Sequence, residues 1–404
     1  MSLADLVGLA PEALRDPGSV YDELRAKGVH FAPEVSAYVV SGHEDVSRVL
    51  RDAKRFSSTI TVGNPPPSPN DDPNRLRPLL LLSDDPVHAT RRSIVNRAFT
   101  PSQVRSWEPV VRRIAEQHVD ALRGIDPVDL VERIAAPLPV RVISALLGVP
   151  ADDVDKFRAW SEEITGSLGG HAADPEKRDR VQREFTGYMD ALMNRHDGRA
   201  GDDVLSTIVA ADRAGELTRR EAVSFTIELL IAGNITTTHH LASSMKLLAE
   251  NPGIADRLRA EPALIPRFIE ESLRLESPIQ GFYRLALEDS VVGGTEIPAG
   301  SRLLVLYQAA NRDPAAWEQC PHLKLDRPNA AAHLAFGKGP HACIGSSLAR
   351  LEGVVVVETL LDRVTEITPL TPPDEVPYLA SFINHGPTSL PARLVFRPTG
   401  EVPA

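Results

Sequence analysis

The chain has 404 residues, of which 42% are hydrophobic and 25% charged, which is typical of a globular protein with a large core rather than a disordered segment. Its 44 Lys and Arg residues against 55 Asp and Glu residues give a net charge of -11, which argues against a protein that binds duplex nucleic acid. The start lacks the regions of a signal peptide, and no stretch is apolar for long enough to cross a bilayer. We therefore expect a cytoplasmic protein without a membrane anchor, organised as a single domain over residues 1–404.

The first part of the chain predicts a helix followed by a small sheet. The helical pattern YDELRAKG begins at Tyr21, and the alternating apolar run EVSAYVVSG follows it, before about Ser58. Between Thr59 and Leu82 the sequence is rich in Pro, Asn and Asp, which do not hold a regular helix. We predict a long loop there, and long loops in compact domains are often lids or binding loops.

Capping signals then mark the beginning of two helices. Asp85-Pro86 places a capping side chain before a proline at the first helical position. Thr100-Pro101 repeats this arrangement, with Gln103 completing a capping-box pattern, and predicts a helix that runs to about Leu122. The glycine-containing run from Thr165 to Pro175 predicts a break between two further helices.

A long helix is predicted at the centre of the chain. Thr218 and Glu221 form a capping box, and a helix-compatible run continues to Glu250, where Asn251-Pro252 ends it. At 1.5 Å per residue this helix is on the order of 45 Å long. Its middle contains Gly233 and three consecutive β-branched threonines, which are poor helix formers. A local rule broken inside an otherwise consistent element indicates a functional position.

The C-terminal part returns to mixed structure. A helix is predicted from about Ala263 to Glu276, the segment VVGGTEIPAGSRLLVLYQ predicts a hairpin and a strand, and a last helix follows Cys343. The predicted fold class is therefore mainly α (α+β).

The segment around Cys343 carries the most specific motif. The two cysteines, Cys320 and Cys343, allow at most one disulfide bond, which a chain of this size does not need, so free thiols in a reducing compartment fit better. Cys343 stands just before a helical run, whose N–H groups favour a thiolate. Gly337 and Gly339 permit tight turns that bring backbone amides toward the sulfur. An isolated cysteine is more often a buried structural residue.

The spacing argues against that bland interpretation, because the segment resembles the F-G-x-G-x-H-x-C-x-G signature of the cytochrome P-450 family. The matching residues are Phe336, Gly337, Gly339, His341, Cys343 and Gly345. The resemblance, to the soluble bacterial type, extends from DPGSVYDELRAKG to SLPARLVF. It implies haem b as cofactor, with Cys343 as the metal ligand and axial thiolate of its iron. The implied fold is triangular and mainly helical, with about a dozen helices, small β-sheets, and the haem between the long central helix and the cysteine loop.

Other motifs match the same family. Glu271 and Arg274, three apart on a helix, resemble its Glu-x-x-Arg pair, and Arg327 resembles the third member of the associated structural triad. Alone, such a pair is usually a solvated surface contact. The family's propionate-binding positions are matched by His88, Arg92, Arg284 and His341, while Phe336 and Gly345 complete the cofactor-binding residues. Without the cysteine motif, basic residues such as His88 and Arg92 would be assigned to a solvated face.

The central segment IAGNITTTHH resembles the family's oxygen-binding element. Gly233 would leave room for dioxygen, and Thr236 would bond either to the helix backbone or to bound oxygen and water, with Asn234 beside them as a further catalytic candidate. Ile235 stands where most members carry Asp or Glu, so the usual proton relay is missing. Three explanations stay open, namely a polar group on the substrate, side chains such as Asn234, Thr236 or His239, or different chemistry. We favour the first.

The resemblance implies a monooxygenase that inserts one atom of O2 into a small, largely apolar organic substrate. Electrons are expected from a separate ferredoxin or flavodoxin-type protein and its reductase, docking near Arg97, Lys338 and Arg350. A monomer is expected, without nucleic-acid or membrane partners. The pocket is expected to include Leu229, Ala232, Ile235, Phe282, Phe382 and Ile383, with polar contacts from Asn384 and His385.

Two alternatives remain open at this point. A peroxygenase or oxidative-coupling enzyme on the same fold is favoured only by Ile235. A non-catalytic haem-binding sensor or carrier belongs to a different functional class, and Gly233, Thr236 and the implied substrate pocket argue against it.

Overall fold

The structure is a computed structural model of the 404-residue chain, and it describes residues 1–60, 79–166, 175–196 and 203–398. Two predicted features fall largely outside these ranges. Residues 61–78 of the loop predicted from Thr59 to Leu82 lie outside the described residues, and so do residues 167–174 of the break predicted from Thr165 to Pro175.

Helices form most of the regular structure in the described residues. They are α1 (Leu3–Val7), α2 (Pro11–Arg15), α3 (Gly18–Lys27), α4 (His43–Arg51), α5 (Val87–Asn96), α6 (Pro101–Ser106), α7 (Glu108–Asp120), α8 (Pro137–Leu146), α9 (Val154–Gly166), α10 (Pro175–Arg195), α11 (Val204–Arg213), α12 (Arg219–Glu250), α13 (Pro252–Ala260), α14 (Ile265–Leu275), α15 (Tyr307–Asn311) and α16 (Ser346–Arg363). A π-helical turn, Val131–Ala135, precedes α8.

The strands form small sheets at the margins of this helical body. They are β1 (His30–Ala32), β2 (Ala37–Val40), β3 (Phe56–Ser57), β4 (Val128–Asp129), β5 (Gly281–Ala286), β6 (Ser290–Val292), β7 (Thr295–Ile297), β8 (Arg302–Leu306), β9 (Val364–Pro369) and β10 (Pro391–Phe396). One sheet has the order β1-β2-β8-β5-β3, in which only β2 and β8 pair in parallel. A second has the order β4-β10-β9, and β6 pairs with β7 as the predicted hairpin.

Two predicted helix positions need correction. Pro86 is the N-cap of α5 rather than its first residue, although the Asp85 carboxylate still accepts a hydrogen bond from the N–H of Ala89 at 3.1 Å. The single helix predicted from Thr100 to about Leu122 is two helices that meet at Trp107. Pro109 explains the interruption, because its ring nitrogen cannot donate to a carbonyl one turn earlier.

The central helix α12 is 32 residues long, or about 48 Å at 1.5 Å per residue. The predicted capping box begins it, since the Thr218 side chain accepts from the N–H of Glu221 and the Glu221 carboxylate accepts from the N–H of Thr218. Asn251 ends it before Pro252, as predicted.

Helix α12 packs against helices on several sides, namely α8, α10, α11, α14 and α16. The largest apolar cluster includes Phe225, Leu230, Leu241 and Met245 of α12, all of them fully buried. Burial on every side fits a helix that is apolar around much of its circumference. Among the residues that the structure describes, no helix combines the length and the apolar composition needed to cross a membrane.

Candidate functional site

The loop before α16 is a compact turn that presents Cys343. The N–H of Cys343 donates to the carbonyl of Phe336 at 2.8 Å, which closes the loop over a short 3-10 turn at Gly339–His341. Gly337 and Gly339 have φ values of 65° and 73°, a conformation that favours glycine. A Cβ on Gly339 would also lie 2.4 Å from the carbonyl oxygen of Leu50. The two glycines therefore fix the loop as the sequence predicted.

The Cys343 thiol lies deep in the protein, yet its side chain is accessible, so it faces an interior cleft. Burial raises the pKa of this thiol, whereas the N–H of Gly345 and the charges of Arg92 and Arg350 act in the opposite direction. Burial is the larger effect, so the stabilisation expected from the helix N-terminus does not decide the protonation state alone. A coordinated metal ion deprotonates a thiol outright and would reverse this balance.

Four basic residues predicted to bind the cofactor lie together beside this loop. The rings of His88 and His341 stack with centroids 4.0 Å apart, and Arg92 donates to the carbonyl of Ala342 at 2.5 Å. Arg284 is buried in β5, and its guanidinium donates to the carbonyl of Tyr283 at 2.8 Å. Burial, with the charges of His88, Arg284 and Arg92, lowers the pKa of His341 to about 3. The positive charge of the site therefore comes from Arg92 and Arg284, whereas the His341 ring is neutral.

Within the part of the chain that the structure describes, this cluster has a single carboxylate partner, Asp85. Within the described residues neither Arg92, Arg284 nor His341 forms an ion pair, and His88 has only Asp85, with 3.4 Å between Nδ1 and Oδ1. The Nε2 atom of His88 is buried and has no hydrogen-bond partner among the described residues. Because buried polar groups are almost always paired, the cluster fits an anionic ligand. A thiol facing a cleft beside a cradle for anionic groups fits haem and its propionates.

Behind the cysteine loop, Glu271, Arg274 and Arg327 form the predicted triad. The Glu271 carboxylate lies 2.7 Å from Nε of Arg274 and 2.8 Å from Nε of Arg327, and all three side chains are at most 3% exposed. Arg274 also donates to the carbonyls of Asn311, Cys320 and His322. The triad therefore ties α14 to the segment that leads into the cysteine loop.

The middle of α12 is a continuous helix despite its threonines. Thr236 donates to the carbonyl of Ala232 at 2.7 Å, so its hydroxyl takes the backbone option expected from the sequence. Ala232 is exposed although it lies in the middle of a packed helix, which places it on an interior space. Among the described residues, the buried Oδ1 atom of Asn234 has no partner, and a Cβ on Gly233 would approach only Ile143.

Comparison with known proteins decides the family. The cytochrome P450 family model matches residues 174–385. The chain is similar to the cytochrome P450 monooxygenase PikC of Streptomyces venezuelae, with 34% identity over 96% of this chain and 94% of PikC. The chain belongs to the cytochrome P450 family. It is a haem-thiolate monooxygenase, and its cofactor is haem b.

Solved structures of cytochromes P450 confirm the predicted mainly helical fold. The chain is similar to CYP109Q5 from Chondromyces apiculatus, with a TM-score of 0.86, 34% identity, and coverage of 96% of this chain and 98% of that one. It is also similar to CYP109E1 from Bacillus megaterium in complex with testosterone, with a TM-score of 0.84, 32% identity, and coverage of 95% and 99%.

The residues predicted to line the P450 pocket are placed unequally. Ala232 and Ile235 keep accessible side chains on α12, whereas Leu229 is buried in the main apolar cluster. Phe282 lies in β5 and contacts Tyr307 in an edge-to-face arrangement, with ring centroids 6.1 Å apart. Phe382, Ile383 and Asn384 are half-buried in the segment before β10.

One predicted pocket contact has a different partner in the structure. His385 is 2% exposed, and its Nε2 atom lies 2.9 Å from a carboxylate oxygen of Glu276, which is also buried. The His385 side chain thus contacts the Glu276 cluster rather than the substrate pocket. Sequence reasoning missed this cluster, because Glu276 and His385 are 109 positions apart and share no local pattern.

Sequence reasoning also missed a buried anchor on α12. The Glu228 carboxylate accepts hydrogen bonds from the N–H groups of Leu79, Leu80 and Leu81, at distances of 2.6 to 3.2 Å. It thereby fixes the chain just after the undescribed segment. The signal that could have predicted it is the single carboxylate within the apolar run TIELLIAG.

The three predicted docking residues are also placed unequally. Arg350 pairs with Glu270 at 2.6 Å and covers the Phe336 ring at 4.5 Å, so it supports the cysteine loop. Arg97 is exposed and pairs with Glu216. Lys338 lines a cleft of about 890 Å³ beside the loop. Further basic residues of that cleft are His43, Arg48, Arg51 and Lys54.

Proposed function

We propose that this P450 oxidises a small, largely apolar organic substrate with electrons from a separate ferredoxin and its reductase. The observation that carries the haem assignment is the Cys343 thiol, which faces an interior cleft beside four basic residues, of which only His88 has a carboxylate partner among the described residues. When bound, haem b supplies the redox chemistry that activates dioxygen. In the proposal the chain acts as a cytoplasmic monomer and a single domain.

The protein's part in the reaction is binding and positioning. We assign Cys343 as the iron ligand and assign His88, Arg92, Arg284 and His341 to the two propionates. Phe336 and Gly345 shape the loop on the thiolate side. On the opposite side Gly233 leaves space, while Asn234 and Thr236 place polar atoms along α12.

The substrate class follows from the side chains around α12. Ala232, Ile235 and Ile383 present apolar surface, and Phe282 and Phe382 contribute aromatic rings. Such a lining favours a compact hydrocarbon skeleton with few polar groups. CYP109E1, which is similar in structure, is known in complex with testosterone, so testosterone is a rational first probe for this chain.

In the proposal the ferredoxin docks at the cleft beside the cysteine loop, whose lining combines basic residues with the acidic residues Glu44, Asp52, Asp84 and Asp85. Lys338 and Arg51 lie on the cleft next to Pro340, three residues before Cys343. Arg350 is a poor docking residue, because its guanidinium is already paired with Glu270. Replacing Lys338 and Arg51 by Glu should raise the ferredoxin KM several-fold, mostly through a slower association rate. An unchanged KM at low salt would contradict this docking surface, and Arg133→Glu, on an exposed side chain far along the sequence, is the control.

A peroxygenase or coupling enzyme is the second candidate, and Ile235 is the observation that favours it. Without a carboxylate at this position, the chain lacks the usual proton donor beside Thr236. Product formation from peroxide without ferredoxin, at a rate above the ferredoxin-driven one, would favour this candidate.

The test of the haem-thiolate assignment is a carbon-monoxide difference spectrum. Wild type expressed with haem precursor and reduced under carbon monoxide should show a strongly red-shifted Soret band, and Cys343→Ala should lack it. Cys320→Ala, the other free cysteine, should retain the band and serves as the matched control. If wild type binds no haem, or Cys343→Ala keeps the band, the assignment fails. A shift of the ferric spin state with testosterone would then report substrate binding.

A further inference from the structure

A stripe of polar side chains continues along α12 beyond the oxygen-binding segment. From Ile235 the positions four, eight, eleven and fifteen residues later are His239, Ser243, Lys246 and Glu250. Spacings of three and four residues place them on one helix face. A polar stripe in a packed helix is unusual, because buried polar groups must be satisfied.

The first two members of the stripe have unsatisfied atoms. His239 is 6% exposed and Ser243 is fully buried. Neither Nδ1 of His239 nor Oγ of Ser243 has a hydrogen-bond partner in the part of the chain that the structure describes. The last two members are paired, since the Lys246 ammonium lies 3.3 Å from Glu250 and 3.5 Å from Glu276. The charged residues Lys246 and Glu250 are therefore paired at the far end of the stripe, whereas unpaired polar atoms lie at the end near Thr236.

A second layer of charged groups covers this face. Glu276 accepts from Tyr378 at 3.3 Å and from Nε2 of His385 at 2.9 Å. Arg312 lies 3.9 Å from Glu276 and 3.2 Å from Asp16, whose side chain is 74% exposed. The layer thus connects a buried carboxylate to the protein surface through ion pairs.

The two layers meet at His239. A Cβ on Gly386, the residue after His385, would lie 2.6 Å from Nδ1 of His239, so this backbone rests on the imidazole ring. Burial, and then the charge of His385, lower the pKa of His239 to about 4. A neutral imidazole carries one donor and one acceptor nitrogen, which is what passing a proton requires.

We propose that His239 and His385 form a proton relay that links Glu276 to the oxygen-binding segment of α12 and replaces the acid absent at Ile235. The proposal rests on the proposed function. The proposal favours protein side chains over the substrate-assisted delivery expected from the sequence, because the backbone next to His385 packs on His239, which lies one helical turn from Thr236.

The proton transfer balances, because His239 and His385 end each cycle in the protonation state in which they began. A proton from water enters at the charged layer, passes to His385, whose ring Glu276 holds by the Nε2 to Oε2 hydrogen bond, and moves on to His239, with water bridging where no direct bond exists. Each imidazole releases one N–H proton and receives another. The two protons join O2 and the two electrons supplied by the ferredoxin, which gives one hydroxylated product and one water.

The bland alternative is that the cluster only ties α12 to α14 and the C-terminal segment. Rescue distinguishes the two, because a carboxylate at position 235 can restore proton delivery but cannot restore contacts around His239. The variants are therefore His239→Gln alone and His239→Gln combined with Ile235→Glu. His240→Gln is the matched control, since the neighbouring histidine is equally buried but faces Gly353 of α16.

The measurement is rapid mixing of the ferredoxin-reduced holoenzyme with O2, in H2O and in D2O. The return of the Soret band to its ferric position should slow by at least about tenfold in His239→Gln, since a positioned acid contributes 10²–10⁴-fold. The solvent isotope effect should grow, and Ile235→Glu should recover most of the rate. An unchanged rate and isotope effect, or a slowed variant that Ile235→Glu does not rescue, would overturn the relay.

A second readout does not depend on turnover. With ¹⁵N-labelled histidine in the ferrous carbon-monoxide complex, His385→Asn should shift the ring resonances of His239, and unchanged resonances would contradict the coupling. If His239→Gln does not fold, His385→Asn takes its place in the kinetic test. Loss of the carbon-monoxide band in wild type refutes the proposed function itself, whereas a normal band with wild-type kinetics in the variants refutes only the relay.

Discussion

The buried triad behind the cysteine loop gives the sharpest stability prediction, namely the effect of Glu271→Gln. The carboxylate accepts four hydrogen bonds, two from Arg274 and one each from Arg327 and the N–H of Lys324, at 2.7 to 3.1 Å. Its side chain and that of Arg274 are fully buried. The amide of the glutamine variant removes the negative charge between the two guanidinium groups. Its NH2 group would also face N–H groups that can only donate.

The expected cost is large because two positive charges would remain buried without a counter-charge. Breaking a buried ion pair by removing one partner costs about 3–5 kcal/mol. Net stabilities of about 5–15 kcal/mol are typical of folded proteins, so this loss is a large fraction of the total. We therefore expect Glu271→Gln to lower the urea midpoint strongly and to release haem at lower urea than wild type.

The assay is urea unfolding of the ferric holoenzyme, followed by far-ultraviolet circular dichroism and by the Soret band in parallel. Free energies are compared only where the two transitions coincide. Glu108→Gln is the matched control, because Glu108 pairs with Arg112 on side chains that are 46% and 37% exposed and should contribute at most about 1 kcal/mol. A loss below about 1 kcal/mol in Glu271→Gln would refute the reasoning from burial.

Three further predictions concern single residues. Gly339→Ala should destabilise the haem-bound protein more than Gly294→Ala. Both glycines have positive φ, but of the two only Gly339 would place a Cβ against a backbone carbonyl. Competition with apomyoglobin for haem would show the difference as faster haem loss from Gly339→Ala. Thr218→Ala should lower the free energy of unfolding by about 1 kcal/mol through loss of the cap on α12, with Thr295→Ala as a non-cap comparison. The pKa of Glu270 is lowered to about 2, because hydrogen bonds and charges from basic neighbours outweigh the effect of burial. The contribution of Glu270 to the free energy of unfolding is therefore complete above pH 4.5 and declines as the pH falls toward 2. Glu270→Gln should therefore flatten the acid side of a pH-dependent urea-midpoint curve, and an unaltered curve would contradict this.

Local signals predicted those parts of the fold that depend on neighbours in sequence. Thr218 and Glu221 cap α12 as expected, because a capping box involves residues only three apart. The junction at Trp107 was missed although Pro109 marks it, since proline is also tolerated in the first turn of a helix and the pattern on both sides stays helical.

The site divides in the same way. The cysteine loop, with Gly337, Gly339 and Cys343, lies within ten residues, so one motif contains it. His385 lies 109 positions from its partner Glu276, and Leu79 lies 149 positions from its partner Glu228, so no periodicity records these contacts. The residue type alone indicates that a partner exists, since a buried carboxylate within an apolar run requires one.

The two halves of α12 explain why Ile235 is tolerable in an oxygen-activating enzyme. Before Thr236 the accessible face of the helix carries the apolar side chains of Ala232 and Ile235. Beyond Thr236 the same face becomes polar and is covered by the Glu276 cluster. An acid at position 235 would place a charge at the boundary between these halves, where its desolvation is unfavourable. Moving the titratable groups one turn further keeps the pocket apolar and leaves proton transfer to His239.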